Sequence, residues 1–139
     1  DSRLMADRHP VLGRLYRVWL APVKVPHAAT GRLADLDDVI VVVRRPAESD
    51  GTAKIERSGK AIDRLFGTAL TGEAVGRLTP SREDAENETA IVFTTGRTLM
   101  MEDHVQLPGG LTRVARLYLP FADAAGRVDG VVVGIARAA

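Results

Sequence analysis

The fold of this chain is decided by residues 99–137, LMMEDHVQLPGGLTRVARLYLPFADAAGRVDGVVVGIAR. Two apolar runs meet at Pro108-Gly109-Gly110, and a third, valine-rich run follows the turn-forming segment Asp123-Ala124-Ala125-Gly126. Strand-length runs joined by such short turns predict an antiparallel meander. Leu99 to Leu107 alternates apolar and polar residues, the period of a half-buried strand, with Asp103 as the exception on the apolar side.

Upstream of the meander, helical and strand patterns alternate. Apolar residues at three- and four-residue spacing indicate helices, and β-branched blocks indicate strands. The pattern predicts first a helix over His9–Leu20 and a loop over 21–32. Two strands follow over Val39–Val43 and Thr52–Arg57, joined by a polar turn at 46–51. A short helix ending at Gly67 and a longer helix from Ser81 to Gly96 complete this part of the chain. Helices inserted into an otherwise antiparallel sheet place the chain in the α+β class.

Composition limits the chain to one core. Its 139 residues suit a single domain, and a hydrophobic share of 45% with only 4% aromatic residues predicts an aliphatic interior. We expect an N-terminal helix and connection over 1–32 and the main domain over 33–139. Because the net charge is +1, we expect no nucleic-acid partner. No apolar run reaches the roughly 20 residues that span a bilayer, so we expect no membrane partner and a cytoplasmic location.

The order of elements resembles the PAS fold, in which two strands, a helical crossover and three long strands form one five-stranded antiparallel sheet. The segment Phe66-Gly67-Thr68-Ala69-Leu70-Thr71-Gly72 is similar to the helix-loop signature of a family of short, often stand-alone bacterial PAS-like proteins. Residues 119–130, LPFADAAGRVDG, look like the closing hairpin of that family, and Tyr16 and Trp19 resemble its leading-helix aromatics.

The resemblance implies a sensory or regulatory domain in bacterial signalling. Such a domain binds a small molecule or a signalling protein, commonly as a homodimer. The family supplies no catalytic residues, so no enzyme activity is expected. A pure dimerisation or interaction module without a ligand stays open as an alternative.

On this fold, the concave face of the sheet and the crossover helices enclose either a ligand pocket or a packed core. The residue types do not separate the two, because burial alone accounts for apolar side chains there. The residues expected to line this space are Val42, Ile55, Phe66, Leu70, Leu78, Val92, Leu99, Leu117 and Val132.

The leading helix carries an apolar stripe of Val11, Leu15, Val18 and Trp19. This stripe is larger than its sequence neighbours are expected to cover. We predict that it forms a homodimer interface or packs on the outer face of the sheet. The residues expected to point to that outer face are Val131, Val133 and Ile135.

Glu102, Asp103 and His104 form an acid-acid-histidine cluster. Strand alternation places Glu102 and His104 together, and two ligands fall short of the three protein ligands usual for catalytic zinc. A surface cross-strand charge pair is therefore predicted, and no metal site. Asp103 points the other way, so it needs a partner such as Arg113 or a bulge that turns it outward. A ligand-sensing acid, or the base of a small single-acid isomerase or hydrolase, are the alternatives.

Residue types also test two cofactors found in PAS domains. A flavin–thiol adduct needs a cysteine, and the chain has none. Haem-binding versions usually take an axial histidine from the longer crossover helix, and residues 81–96 contain no histidine. We expect His9, His27 and His104 to be ordinary surface residues, and we predict no cofactor.

Overall fold

A computed structural model of the chain describes residues 9–20, 34–45, 53–79 and 82–138. The predicted loop at 21–32, the polar turn at 46–51 and His27 lie outside the described residues. The helices are α1 (Pro10–Leu20), α2 (Lys60–Phe66) and α3 (Arg82–Thr95), with 3₁₀ helices at Ala34–Val39 and Val75–Leu78. The strands are β1 (Ile40–Arg44), β2 (Lys54–Ser58), β3 (Leu99–Leu107), β4 (Gly110–Ala122) and β5 (Val128–Arg137).

The strands form one five-stranded sheet in the order β2-β1-β5-β4-β3, and every neighbouring pair is antiparallel. The first strand, β1, pairs with the last strand, β5. Helices α2 and α3 lie in the segment that connects the two edge strands, β2 and β3. The predicted α+β class and five-stranded antiparallel sheet are confirmed. None of the helices in the described parts of the chain is long and apolar enough to cross a membrane.

Two tight turns set the register of the meander. Leu107 pairs with Gly110, so the β3–β4 turn consists of Pro108 and Gly109. In the β4–β5 turn, the Asp123 carboxylate accepts hydrogen bonds from the backbone N–H groups of Ala125 and Arg127 at 2.9 and 3.0 Å. A side chain that satisfies its own turn is typical of aspartate at such positions.

Both faces of the sheet are buried. We call the side that faces α2 and α3 the inner face, and the side that faces α1 the outer face. The inner face packs against the helices through a cluster that includes Val43, Ile55, Ile62, Leu78, Val92 and Val133. The outer face packs against α1 through a cluster that includes Leu12, Leu15, Ile40, Leu117, Leu119 and Val132.

Helix α1 lies in a notch on the outer face that a glycine provides. Leu12 and Leu15 of α1 are fully buried, and a Cβ atom placed on Gly134 of β5 would lie 2.3 Å from Leu15 Cδ2. The indole Nε1 of Trp19 donates a hydrogen bond to the carbonyl of Pro120 at 2.8 Å. The helix therefore docks on the sheet, as one of the two alternatives predicted.

The residues beneath α1 differ from those predicted. Val131, Val133 and Ile135 belong to the inner cluster, so the prediction that they point to the outer face was wrong. Val132 and Gly134, their alternating neighbours, form the part of β5 that faces α1. The alternation along β5 was recognised, but it was assigned to the wrong faces.

Candidate functional site

A charged side chain lies at the centre of the inner face. Arg116 of β4 has no exposed surface, and its partners in the neighbouring strands are Met101 of β3 and Ile135 of β5. Seven consecutive residues of β4, Val114 to Pro120, are buried. Because burying an unpaired charge is very unfavourable, the guanidinium of Arg116 must find partners in the interior.

Three side chains bind this guanidinium. Arg116 Nη2 donates to Glu88 Oε1 of α3 at 3.1 Å and to Asp103 Oδ2 of β3 at 2.6 Å. Arg116 Nε donates to the phenol oxygen of Tyr118 at 3.2 Å, and that phenol donates to Glu88 Oε1 at 2.6 Å. We call Glu88, Asp103, Arg116 and Tyr118 the inner polar network. It ties α3 to two adjacent strands.

One part of the guanidinium is not satisfied. Arg116 Nη1 is buried and has no hydrogen-bond partner within the described residues. An unsatisfied buried donor costs about 1–3 kcal/mol, and more when the group is charged. A native interior rarely keeps such a group without a functional reason or a bound molecule.

The electrostatics keep Arg116 charged and Tyr118 neutral. Burial raises the pKa of Tyr118, Arg116 opposes this, and Glu88 raises the pKa further. Burial by itself lowers the pKa of Arg116, but Tyr118, Asp103 and Glu88 outweigh it, and the net shift is upward. At neutral pH the network therefore contains a guanidinium cation and a neutral phenol that donates a hydrogen bond to Glu88.

Local sequence explains how α3 reaches the network. Glu88, Thr89, Val92 and Phe93 are buried along one stripe of the helix at helical spacing. The end of α3 is held by Arg45, whose Nη2 donates to the Phe93 carbonyl at 3.1 Å and whose guanidinium lies 5.0 Å from the Phe93 ring centroid. Glu88 occupies the position on this stripe that faces Arg116.

The predicted pocket residues divide between the two faces. Ile55, Leu70, Leu78 and Val92 belong to the inner cluster, and Phe66 and Leu99 pack against it, so these six lie on the predicted side of the sheet. Val42, Leu117 and Val132 belong to the outer cluster beneath α1, so their predicted placement was wrong. Contact of any of these residues with a ligand stays a prediction.

Two features of strand register explain why these residues were assigned to the wrong face of the sheet. The two-residue turn between β3 and β4 pairs odd-numbered residues of β3 with even-numbered residues of β4, so Leu99 faces the same side as Tyr118. An irregularity between Val42 and Val43 then places Val43, not Val42, opposite Ile55. Bulges of this kind shift the alternation by one residue.

The cluster around Glu102 contains the predicted cross-strand charge pair, with Arg113 of β4, and also a histidine of α1. Glu102 accepts a hydrogen bond from Arg113 Nη2, and its Oε1 lies 2.8 Å from His9 Nε2 at the start of α1. His9 is 9% exposed, so the prediction that it is a surface residue was wrong; His104 is exposed, as predicted. The hydrogen bond to His9 lowers the pKa of Glu102, burial opposes it, and Arg113 lowers it further. This acid therefore fixes the start of α1.

Asp103 faces inward, as predicted, but its partner is Arg116 and not Arg113. Arg113 lies on the outer face with Glu102, because residues of β4 alternate between the faces. The side chain of Asp103 is 36% exposed. Its ion pair with Arg116 occupies the carboxylate, which weakens the alternative that Asp103 is a catalytic base.

The apolar stripe of α1 is used largely within the chain. Leu15 is fully buried, Val18 and Trp19 pack against the outer cluster, and Val11 is 39% exposed. Leu15 therefore has no surface left for a second copy in this arrangement. Homodimerisation stays a prediction.

Sequence reasoning missed Arg116, Tyr118 and Glu88. The signal was the placement of an arginine and a tyrosine two residues apart in a run of apolar residues, Leu117 and Leu119 included. Such a pair on one face of a strand with no polar surroundings indicates a buried polar cluster. Within the described residues, no group of three histidine, cysteine or acidic side chains could hold a metal ion.

Comparison with known proteins supports the fold. No protein-family model and no curated protein matches the chain. A light-oxygen-voltage domain is similar in structure with a TM-score of 0.63 and 14% identity, over 81% of this chain and 85% of its own. The PAS domain of a protein from Colwellia psychrerythraea has a TM-score of 0.54 and 14% identity, over 78% of this chain and 95% of its own.

A third similar structure is VqmA of Vibrio cholera, in a complex with a ligand and DNA. Its TM-score is 0.57 at 15% identity. The match covers 78% of this chain but only 50% of the VqmA chain. At these identities the likeness shows the fold. The five-stranded sheet, its strand order and the helical crossover, together with these similarities, establish that the chain folds as a PAS-like domain.

Proposed function

We propose that this chain is a sensory domain that binds a small molecule on the inner face of its sheet, at the inner polar network. The observation that carries the proposal is Arg116, a fully buried guanidinium whose Nη1 has no partner in the described part of the chain. A ligand that accepts a hydrogen bond from Nη1 would satisfy this group.

Stability does not account for the network. Replacing a buried ion pair with apolar residues of similar volume is often neutral, or stabilising by about 1–4 kcal/mol. The surroundings of Arg116 are largely apolar and suited to such a replacement. Perturbed pKa values such as the raised pKa of Tyr118 cluster at functional sites, which supports the proposal.

The network is also placed where binding can be transmitted. Glu88 belongs to α3, whereas Asp103, Arg116 and Tyr118 belong to the sheet. A ligand at Arg116 would compete with or strengthen these contacts, so it would shift the balance between arrangements of α3 on the sheet. This is the property that a sensor needs. The solved structures that share the fold include one in complex with a ligand and DNA, which is consistent with such a role.

A cysteinyl flavin adduct is not the ligand we propose, because the sequence contains no cysteine. A role in signalling through a homodimer or a protein partner forms part of the proposal. An enzyme is less well supported, because Asp103 is engaged by Arg116 at 2.6 Å.

The test compares native and denatured mass of the purified protein. The wild type is expected to carry an additional small mass under native conditions. In the triple variant Arg116→Met/Glu88→Leu/Tyr118→Phe, the three buried residues of the network are replaced by apolar side chains and the partly exposed Asp103 is kept. We expect this variant to unfold in urea at least as late as the wild type but to carry no additional mass.

Arg113→Met is the matched control. Arg113 lies on the same strand, but its side chain is 49% exposed on the outer face. This variant should retain the additional mass. Absence of the mass from the wild type, or its persistence in the triple variant, would contradict the proposal.

A further inference from the structure

We infer that the ligand is an uncharged molecule that presents a hydrogen-bond acceptor to Arg116 Nη1 and has an apolar body. This inference rests on the proposed function, and it names the chemical class of the ligand. It follows from the hydrogen-bond inventory, the charge and the surroundings of the inner polar network, taken one at a time.

The hydrogen bonds within the network leave part of the Arg116 guanidinium without an acceptor. Arg116 has five N–H donors, of which Nε–H and the two on Nη2 are directed to Tyr118, Glu88 and Asp103. The one hydroxyl hydrogen of Tyr118 is donated to Glu88. What remains is the pair of N–H groups on Nη1. The ligand must therefore supply an acceptor: a carbonyl oxygen, an ether oxygen or an aromatic ring nitrogen.

The charge of the network disfavours a third anion. One guanidinium faces two carboxylates, those of Glu88 and Asp103, which gives a formal net charge of −1. The cation is thus already more than neutralised before a ligand arrives. An anionic ligand at Nη1 would be repelled by both carboxylates, and the repulsion from the buried Glu88 would be poorly screened. A cationic group in contact with Nη1 would lie against the guanidinium cation of Arg116, which repels it.

The surroundings determine the rest of the ligand. The inner cluster around Arg116 consists of aliphatic and aromatic side chains, including Val92, Phe93, Val114 and Ile135. Within this cluster the polar groups of the network are concentrated around one guanidinium. A mostly apolar molecule with a single acceptor group fits this distribution, which is the usual design of a small-molecule site.

The test uses three fragments of similar size: benzamide, benzoate and ethylbenzene. They share a ring and differ in presenting a neutral acceptor, an anionic acceptor or none. Binding is followed by the NMR resonance of the Arg116 Nε–H group during titration of the full chain. We expect benzamide to shift this resonance and to bind at least about tenfold more tightly than either of the others.

A charge variant tests the electrostatic step. Asp103→Asn removes one negative charge at a partly exposed position, so the variant is expected to fold. Benzoate should then bind at least about tenfold more tightly than it binds the wild type, and the preference for benzamide over benzoate should narrow. Arg113→Met, on the outer face, should leave all three affinities unchanged.

The outcomes separate this inference from the proposed function. Tighter binding of benzoate than of benzamide to the wild type would overturn the assignment of an uncharged ligand but leave a ligand site in place. Equal binding of ethylbenzene would overturn the need for an acceptor. If no fragment shifts the Arg116 resonance, because a water molecule satisfies Nη1, this inference fails. If the additional native mass is absent as well, the proposed function fails with it.

Discussion

Replacing Gly134 with alanine should loosen the docking of α1 on the sheet. Gly134 lies on β5, where it pairs with Ile40 of β1 and Leu117 of β4 on the outer face. A Cβ atom there would lie 2.3 Å from Leu15 Cδ2 and 3.0 Å from Leu12 Cδ2. Because both leucines are fully buried, moving their methyl groups disturbs the packing around them, and we expect the helix to shift.

The expected cost follows from two limits. Overpacking of a buried site costs about 1–3 kcal/mol. Complete release of α1 would expose Leu12 and Leu15, at about 1.5–3 kcal/mol for each side chain. Since one methyl group displaces the helix without exposing both leucines, we expect the free energy of unfolding to fall by about 1–3 kcal/mol.

Trp19 provides a direct readout of α1. It is the only tryptophan of the chain, it lies on α1, and its indole binds the Pro120 carbonyl at 2.8 Å. In Gly134→Ala, its fluorescence emission should shift to longer wavelength in the folded state, and urea unfolding followed by circular dichroism should give the loss in stability.

Gly130→Ala is the matched control for this experiment. Gly130 lies on the same strand, and a Cβ atom there would meet its nearest neighbour, the carbonyl oxygen of Val43, at 3.4 Å. We expect this variant to change stability by less than about 0.5 kcal/mol. If Gly134→Ala matches the control in both stability and Trp19 emission, the notch that Gly134 provides does not hold α1, and the reasoning is refuted.

Three further predictions concern the two faces of the sheet. The pKa of Glu102 is lowered in the folded state, so its contribution to stability is present above its ordinary pKa of 4.5 and is lost as the pH falls through the lowered value. Glu102→Gln should therefore flatten the acid limb of a curve of unfolding free energy against pH. An unchanged curve would contradict this. Glu88→Ala leaves Asp103 as the remaining counter-ion of Arg116 and removes the acceptor of the buried Tyr118 hydroxyl, so it should cost about 1–3 kcal/mol in urea unfolding, whereas an unchanged stability would show that these contacts are not buried as described. Deletion of residues 1–21 exposes the outer cluster and should produce a protein that aggregates or changes its oligomeric mass in light scattering, and an unchanged mass would count against the role of α1 as a cover.

Much of the fold could be predicted from local sequence. The Pro108-Gly109 turn, the Asp123 turn and the period-two pattern of β3 are all local signals, and each corresponds to an observed element. The order of helices and strands followed from them. Local signals were sufficient because turns and amphipathic periods depend on residues close together in the chain.

Assignment of faces failed for a different reason. Strands β1, β4 and β5 are buried on both sides, so their sequences show a continuous apolar run and no alternation that marks the core side. The register of the β3–β4 turn could have resolved β4, because two turn residues between Leu107 and Gly110 fix Leu99 opposite Tyr118. The irregularity between Val42 and Val43 could not have been inferred, since no glycine or proline marks it.

The inner polar network could be predicted only in part from the sequence. Arg116 on its own suggests a solvent-facing position, because an arginine in a strand is usually exposed. Its burial depends on α3, which packs on the inner face and brings Glu88 from 28 residues away in sequence. Once Leu99 is placed inside, however, Tyr118 must follow it, and Arg116 lies two residues away on the same face. The arginine was therefore within reach of the sequence through strand register, whereas its counter-ion on α3 required the tertiary structure.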